Sequence, residues 1–129
     1  MTALLTEAQL ELLRGRSFAV VATVKPDGTP QTSIVWVDTD GENVVFNTKP
    51  TRAKGRNLRR DPRVSVLVFD GASPYRYFEV EGRATLEVEG AAEHIHELSR
   101  KYRGTDFPVP TDRVIVKVKP DRIFDYIET

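Results

Sequence analysis

Between residues 46 and 63 the chain reads FNTKPTRAKGRNLRRDPR, and seven of these positions are basic: Lys49, Arg52, Lys54, Arg56, Arg59, Arg60 and Arg63. Asp61 is the one acid among them. Residues 49–63 therefore carry +6 and the rest carries −6, because the 129 residues hold 19 Lys plus Arg against 19 Asp plus Glu. The chemistry on offer is anion binding. Arginine grips a phosphate with two parallel hydrogen bonds, and lysine acts as a point charge. The spacing predicts a strand ending at Thr48 and a helix starting near Arg52. Free N–H groups at a helix start favour an anion, and the Thr48 hydroxyl adds a further donor. The competing reading of the same residues is a solvated basic helix set against an acidic remainder.

A catalyst built from side chains is harder to find. The chain has no cysteine, which excludes disulfides, thiolate zinc sites and cysteine nucleophiles. His94 and His96 stand two apart on an expected helix, so they face different ways and do not chelate one metal as an i, i+4 pair does. Surface or packing roles are expected for both. No serine has a nucleophile-elbow context, and the acids are scattered over strand ends and residues 87–97. A reaction here would need a cofactor to carry the hard chemistry. No catalytic side chain and no metal ligand is named.

The elements that must position the basic segment follow from pattern and punctuation. Thr6-Glu7-Ala8-Gln9 is a capping box, so a helix is expected over 6–14, stopped at Gly15. SFAVVATV (17–24), QTSIVWVD (31–38) and NVVFNT (43–48) read as a three-strand meander, turned by KPDG (25–28) and by Asp40-Gly41. A short helix over 52–60 is capped by Thr51, weakened by Gly55 and ended by Asp61-Pro62. RVSVLVFD (63–70) is a strand, and DGASP a loop. YRYFEVEGRATLEV (75–88) is a long strand with a bend or bulge at Gly82. Residues 90–104 form a helix with Ile95, Leu98 and Tyr102 on one face. A Pro-rich loop covers 104–112, then RVIVKVK (113–119) alternates strictly, and Pro120 interrupts before 122–127. Six or seven strands with short helices predict a mainly β chain, a small closed barrel in one domain over 1–129.

No apolar run approaches the ~20 residues that a spanning helix needs, and the N-terminus lacks a signal-peptide pattern. A soluble cytoplasmic protein without membrane contact is expected. The neutral charge of the whole chain and the lack of interleaved aromatics in the basic helix count against nucleic-acid binding through 49–63.

The order of these pieces resembles the pyridoxamine 5′-phosphate oxidase-like split-barrel family of flavin and deazaflavin binders. The resemblance spans nearly the whole chain: SFAVVATVKPDGTPQTSIVWV, a strand ending FNT, a short basic helix carrying Lys54, NLRRDPRVSVLVFD, and a strand with VEGRATL. It implies a six-stranded antiparallel split barrel of the FMN-binding type, forming a homodimer with two interfacial cofactor sites. It places the cofactor ring along Ser33, Ile34, Val35 and Trp36, with Trp36 as plain barrel core the alternative. It puts the phosphate on Thr48 and Lys54. The pyridoxamine oxidases proper have Arg directly before that Lys, and this chain has Ala53, so Arg52 takes that part. The R-x-K spacing looks more like the branch that uses the deazaflavin coenzyme F-420, whose long anionic tail gives Lys49, Arg56 and Arg60 a use. Tyr75 and Tyr77 are placed to reach toward the partner's cofactor, with interface packing the alternative. The end of the chain lacks the Trp- and Arg-containing segment that binds pyridoxal phosphate. The expected function is thus an F-420-dependent oxidoreductase acting on a small organic molecule. The alternatives are an FMN-dependent oxidoreductase of the same fold, and a non-enzymatic cofactor or haem carrier.

Overall fold

The computed structural model describes residues 2–127. Helix α1 (Glu7–Arg14) starts at Thr6, whose side chain accepts from the Gln9 N–H while Gln9 accepts from the Thr6 N–H, the reciprocal capping the sequence predicts. Strand β1 (Phe18–Val24) follows and pairs with β2 (Pro30–Val35). Gly28 closes the turn between them at φ +88°, where other residues are strained. The expected strand over 31–38 is divided. Trp36 separates β2 from β3 (Val37–Thr39), and β3 pairs with β4 (Val44–Thr48).

That division explains the architecture. The seven strands form one antiparallel sheet in the order β2-β1-β5-β6-β7-β4-β3, with β5 at Arg63–Asp70, β6 at Ser73–Glu87 and β7 at Val114–Asp125. The two end strands are consecutive in the chain, one residue apart. A sheet whose opposite ends are joined through Trp36 has to curl, and the result is the split barrel that the family resemblance implies rather than the small closed barrel of the strand pattern. Inside it, Leu13, Phe46, Phe78 and alternate valines of β1, β4, β5, β6 and β7 form a continuous apolar core. Each such side chain contributes roughly 1.5–3 kcal/mol when fully buried.

Two local features differ from expectation. Pro120 does not interrupt β7, which runs unbroken past it. Instead the β6–β7 register shifts between Glu81 and Gly82, where a Cβ on Gly82 would lie 2.1 Å from the Lys119 carbonyl oxygen. The bulge expected at Gly82 therefore absorbs the irregularity. DGASP is a tight turn rather than a loop, with β6 starting at Ser73.

Helix α2 (Ala53–Arg60) lies against β1 through buried Leu58 and through Asn57, whose Nδ2 donates to Thr23 Oγ1 at 3.0 Å. Its N-cap is Arg52, not Thr51, and no side chain caps it. Helix α3 (Ala91–Arg103) is bounded by Gly90 and Gly104, both left-handed. Its last turn is fastened to the barrel. Lys101 Nζ donates to the carbonyls of Leu13 and Val37, and Tyr102 Oη donates to the Ser17 carbonyl at 2.7 Å. Ile95 and Leu98 are buried and Tyr102 half-buried, the face that the spacing predicts. Among the described residues, no helix is long and apolar enough to cross a membrane.

Candidate functional site

A cavity of about 280 Å³ opens between the Trp36 junction, the start of α2 and the face of α3. Three cations line it: Arg52 and Lys54 from the basic segment, and Arg113 from just ahead of β7. No Asp or Glu is among its lining residues. The apolar wall comes from Ile34, Val35, Trp36, Ile95, Leu98 and Phe107.

Each cation is held in place by a local feature. The approach to α2 folds back on the helix because residue 55 is glycine. A Cβ there would lie 2.4 Å from the Lys49 carbonyl oxygen and 2.9 Å from Pro50 Cα. The sequence reading of Gly55 as a mere weakness in the helix is corrected: the close approach requires it. With Leu58 and Asn57 turned to the barrel, Lys54 turns to the cavity. Burial, then the neighbouring Arg52 and Arg113, push the Lys54 ammonium below its ordinary pKa. Arg113 is 7% exposed, and its pKa is likewise lowered by burial and by Arg52. Its Nε donates to Asn47 Oδ1 at 2.8 Å, its guanidinium carbon lies 5.1 Å from the centre of the Phe107 ring, and its Nη1 is buried without a hydrogen-bond partner. Three cations crowded together without a carboxylate, Arg113 buried and Lys54 half-buried, are costly unless an anion joins them.

The ring-sized part of the wall is rigid. Trp36 stacks on Tyr102 with centroids 5.6 Å apart and planes 7° apart, and meets Phe107 edge-on at 6.3 Å. Phe107 is fixed in turn by its N–H, which donates to His96 Nδ1 at 3.1 Å. A second, outer cavity of about 220 Å³ shares Arg52, Phe107 and Arg113 and adds Lys49, Pro108 and Val109.

The structure thus brings together Ile34, Val35, Trp36, Arg52 and Lys54, with Lys49 in the adjoining space. The other expected site residues lie elsewhere. Ser33 and Thr48 keep buried hydroxyls without partners and are not among the lining residues. Arg56 donates to the Thr51 carbonyl, and Arg60 to the Val24 carbonyl and Asn57 Oδ1, so neither points into the cavity. Tyr77 stacks on Tyr126 at 4.8 Å, and Tyr75 is exposed. Sequence reasoning missed Arg113, Asn47 and Phe107. A basic residue opening an alternating strand after a Pro-rich loop was the one available signal for Arg113.

A larger cavity, about 400 Å³, sits among β1, β5, β6 and β7. Its arginines (Arg63, Arg83, Arg122) are accompanied by Glu81 and Asp121, and no unpartnered buried donor lines it. Size alone favours it; the chemistry favours the acid-free cavity.

The pattern of the family described as pyridoxamine 5′-phosphate oxidase matches residues 5–126. An F420 reductase of known structure is 33% identical, with a TM-score of 0.81 over 92% of this chain and 98% of that one. A conserved hypothetical protein from Mycobacterium tuberculosis is 28% identical, with a TM-score of 0.74 over 95% and 86%. A putative pyridoxamine 5′-phosphate oxidase from Listeria innocua is 26% identical, with a TM-score of 0.69 over 91% and 93%. The match over nearly the whole length, together with the curled antiparallel sheet, shows that this chain belongs to the pyridoxamine 5′-phosphate oxidase family.

Proposed function

We propose that this protein is an oxidoreductase that uses the deazaflavin coenzyme F-420 on a small organic substrate. The observation that carries the reading is the acid-free cavity, where Arg52, Lys54 and buried Arg113 converge beside residues 34–36, with Arg113 Nη1 left without a hydrogen-bond partner. An anionic tail bound there would satisfy Arg113 and relieve the mutual repulsion of three cations. Lys49 in the outer cavity gives a tail longer than one phosphate a further contact. The backbone of 33–36 would run beside the ring, with Trp36 held flat by Tyr102. When bound, the coenzyme would supply hydride transfer at its ring carbon; the chain would bind the tail, orient the ring and exclude water.

FMN is the second reading, because the inner cavity alone offers enough charge for a single phosphate. A homodimer belongs to either reading. Phe18, Phe69 and Tyr77 stand side by side in register on the outer face of β1, β5 and β6, with Phe124 and Tyr126 next to them on and beyond β7. Such a strip is suited to a second copy.

The test is a titration of cofactor-free protein with F-420 and with FMN, alongside sizing by light scattering. Tighter binding of F-420 by a particle of about twice 14.6 kDa is expected. Equal or reversed affinities would replace the deazaflavin with FMN, and binding of neither would remove both.

A further inference from the structure

Arg113 does not stand alone at the cavity wall. Its Nε donates to Asn47 Oδ1 at 2.8 Å, and a guanidinium has only donors, so the amide oxygen of Asn47 must face it. The amide nitrogen then faces the other way, where it meets the Ala91 carbonyl oxygen at 3.1 Å and His94 Nδ1 at 3.0 Å. A carbonyl oxygen only accepts. The orientation of the Asn47 amide is therefore fixed from two sides, and both nitrogen hydrogens point outward to acceptors. It follows that His94 Nδ1 is bare, and that the neutral ring carries its proton on Nε2.

We infer that Asn47 and His94 are positioning residues for Arg113, and that the cavity's hold on an anion weakens when His94 takes up a proton. The inference rests on reading this cavity as an anion site, not on which cofactor carries the anion. A proton on Nδ1 would set N–H against N–H across 3.0 Å. Turning the Asn47 amide offers no escape. It would place oxygen against the Ala91 carbonyl and nitrogen against the Arg113 Nε–H. The imidazolium must therefore give up Asn47. Asn47 then loses the contact that, together with Ala91, keeps its oxygen under Arg113, and the guanidinium loses the support that aims Nη1.

The charges facing His94 come from several elements. Asp38 on β3, Lys117 on β7 and Arg113 act on it, and Asp40 and Glu97 line the same small cavity of about 250 Å³. Lys117 is paired with Glu87 at 3.0 Å, and Asp38 with Lys101 at 3.4 Å. Burial lowers the His94 pKa, Asp38 opposes that, and Lys117 and Arg113 add to it. The ring is thus neutral at neutral pH, as the bare Nδ1 requires. Simple attraction between an imidazolium and an anion predicts the opposite outcome, tighter binding in acid. The sign of the pH effect separates the two accounts.

The experiment uses sulfate, whose charge stays fixed as the pH is lowered from neutral until the His94 ring nitrogens report protonation. Binding is followed by NMR at the Arg113 Nε–H and at the His94 ring nitrogens in the full chain. The neutral ring should show its proton on Nε2. Wild-type affinity for sulfate should fall roughly tenfold or more toward acid, the size of one lost charge-assisted bond. His94→Gln, which keeps a neutral acceptor beside Asn47, should bind with little pH dependence, while Arg113→Lys should weaken binding at both ends of the range. A proton on Nδ1, affinity that rises in acid, or a pH effect that survives in His94→Gln would overturn the inference. Failure of F-420 and FMN to bind would remove the cofactor reading and leave the sulfate result to stand or fall by itself.

Discussion

The outward face of α2 and the seam between α3 and β7 hold arginine in opposite ways. On α2, Arg56 and Arg60 are exposed and donate to nearby carbonyls, and Arg63, just beyond, closes on Asp61 at 2.7 Å. The Arg63–Asp61 contact is strong enough to hold the Asp61 carboxyl at about 2. These cations are finished: they have water or a partner. In the seam, Arg113 is buried, touches one amide and one ring, and keeps a donor without a partner. Density of charge along the sequence therefore marks a basic surface, whereas a buried cation with an unpartnered donor on a cavity wall marks the candidate site.

Substitutions can break this contrast at several strengths. The largest effects belong to the cavity. Each charge-assisted bond to an anion is worth roughly 1.5–3 kcal/mol, so Lys54→Ala and Arg113→Ala should each weaken cofactor binding by roughly 10- to 100-fold in a fluorescence titration. If both cations serve one anion, the double variant should lose less than the product of the two. If Lys54→Ala binds like wild type at low salt, the cavity does not hold the phosphate. Next comes the fold-back that presents Lys54. An exposed helix glycine usually gains stability as alanine, but at Gly55 the added Cβ meets backbone at 2.4 Å. Gly55→Ala should cost about 1–3 kcal/mol in chemical denaturation and weaken the cofactor as well. A gain in stability would show that the 49–52 turn is not held as described. The smallest effects should come from the outer face. Arg56→Ala, Arg60→Ala and Arg63→Ala should each change cofactor affinity by less than about threefold, as exposed and screened charges do. A tenfold loss in any of them would erase the distinction between the two regions.

Much of the fold was legible because its signals are local. The Thr6–Gln9 capping box, the turn at Gly28 and the bulge at Gly82 each depend on a few adjacent residues or on one strand pair. Alternation identified the strands and helical spacing found the buried face of α3. Half of the site was legible too, since Arg52 and Lys54 sit at a strand-to-helix junction whose chemistry is visible in the order of residues. Arg56 and Arg60 were not separable from them, because a helix of basic residues does not reveal which of its faces a cavity adjoins. The break at Trp36 was also hidden. Nothing in QTSIVWVD tells that its first part pairs with one strand and its last part with another.

By itself, then, the sequence determined most of the elements, the segregated charge and the basic strand-to-helix junction. The tertiary structure decided which cations remain incomplete. Arg113 and Asn47 are 66 residues apart, and His94 is 47 residues from Asn47. A period of two or of 3.6 fixes which way a side chain points from its own backbone, but not what stands opposite it. Only the curling of the sheet, which brings β7 beside β4 and lays α3 across them, links the incompletely bonded Arg113, the Asn47 amide and the His94 ring in one chain of contacts.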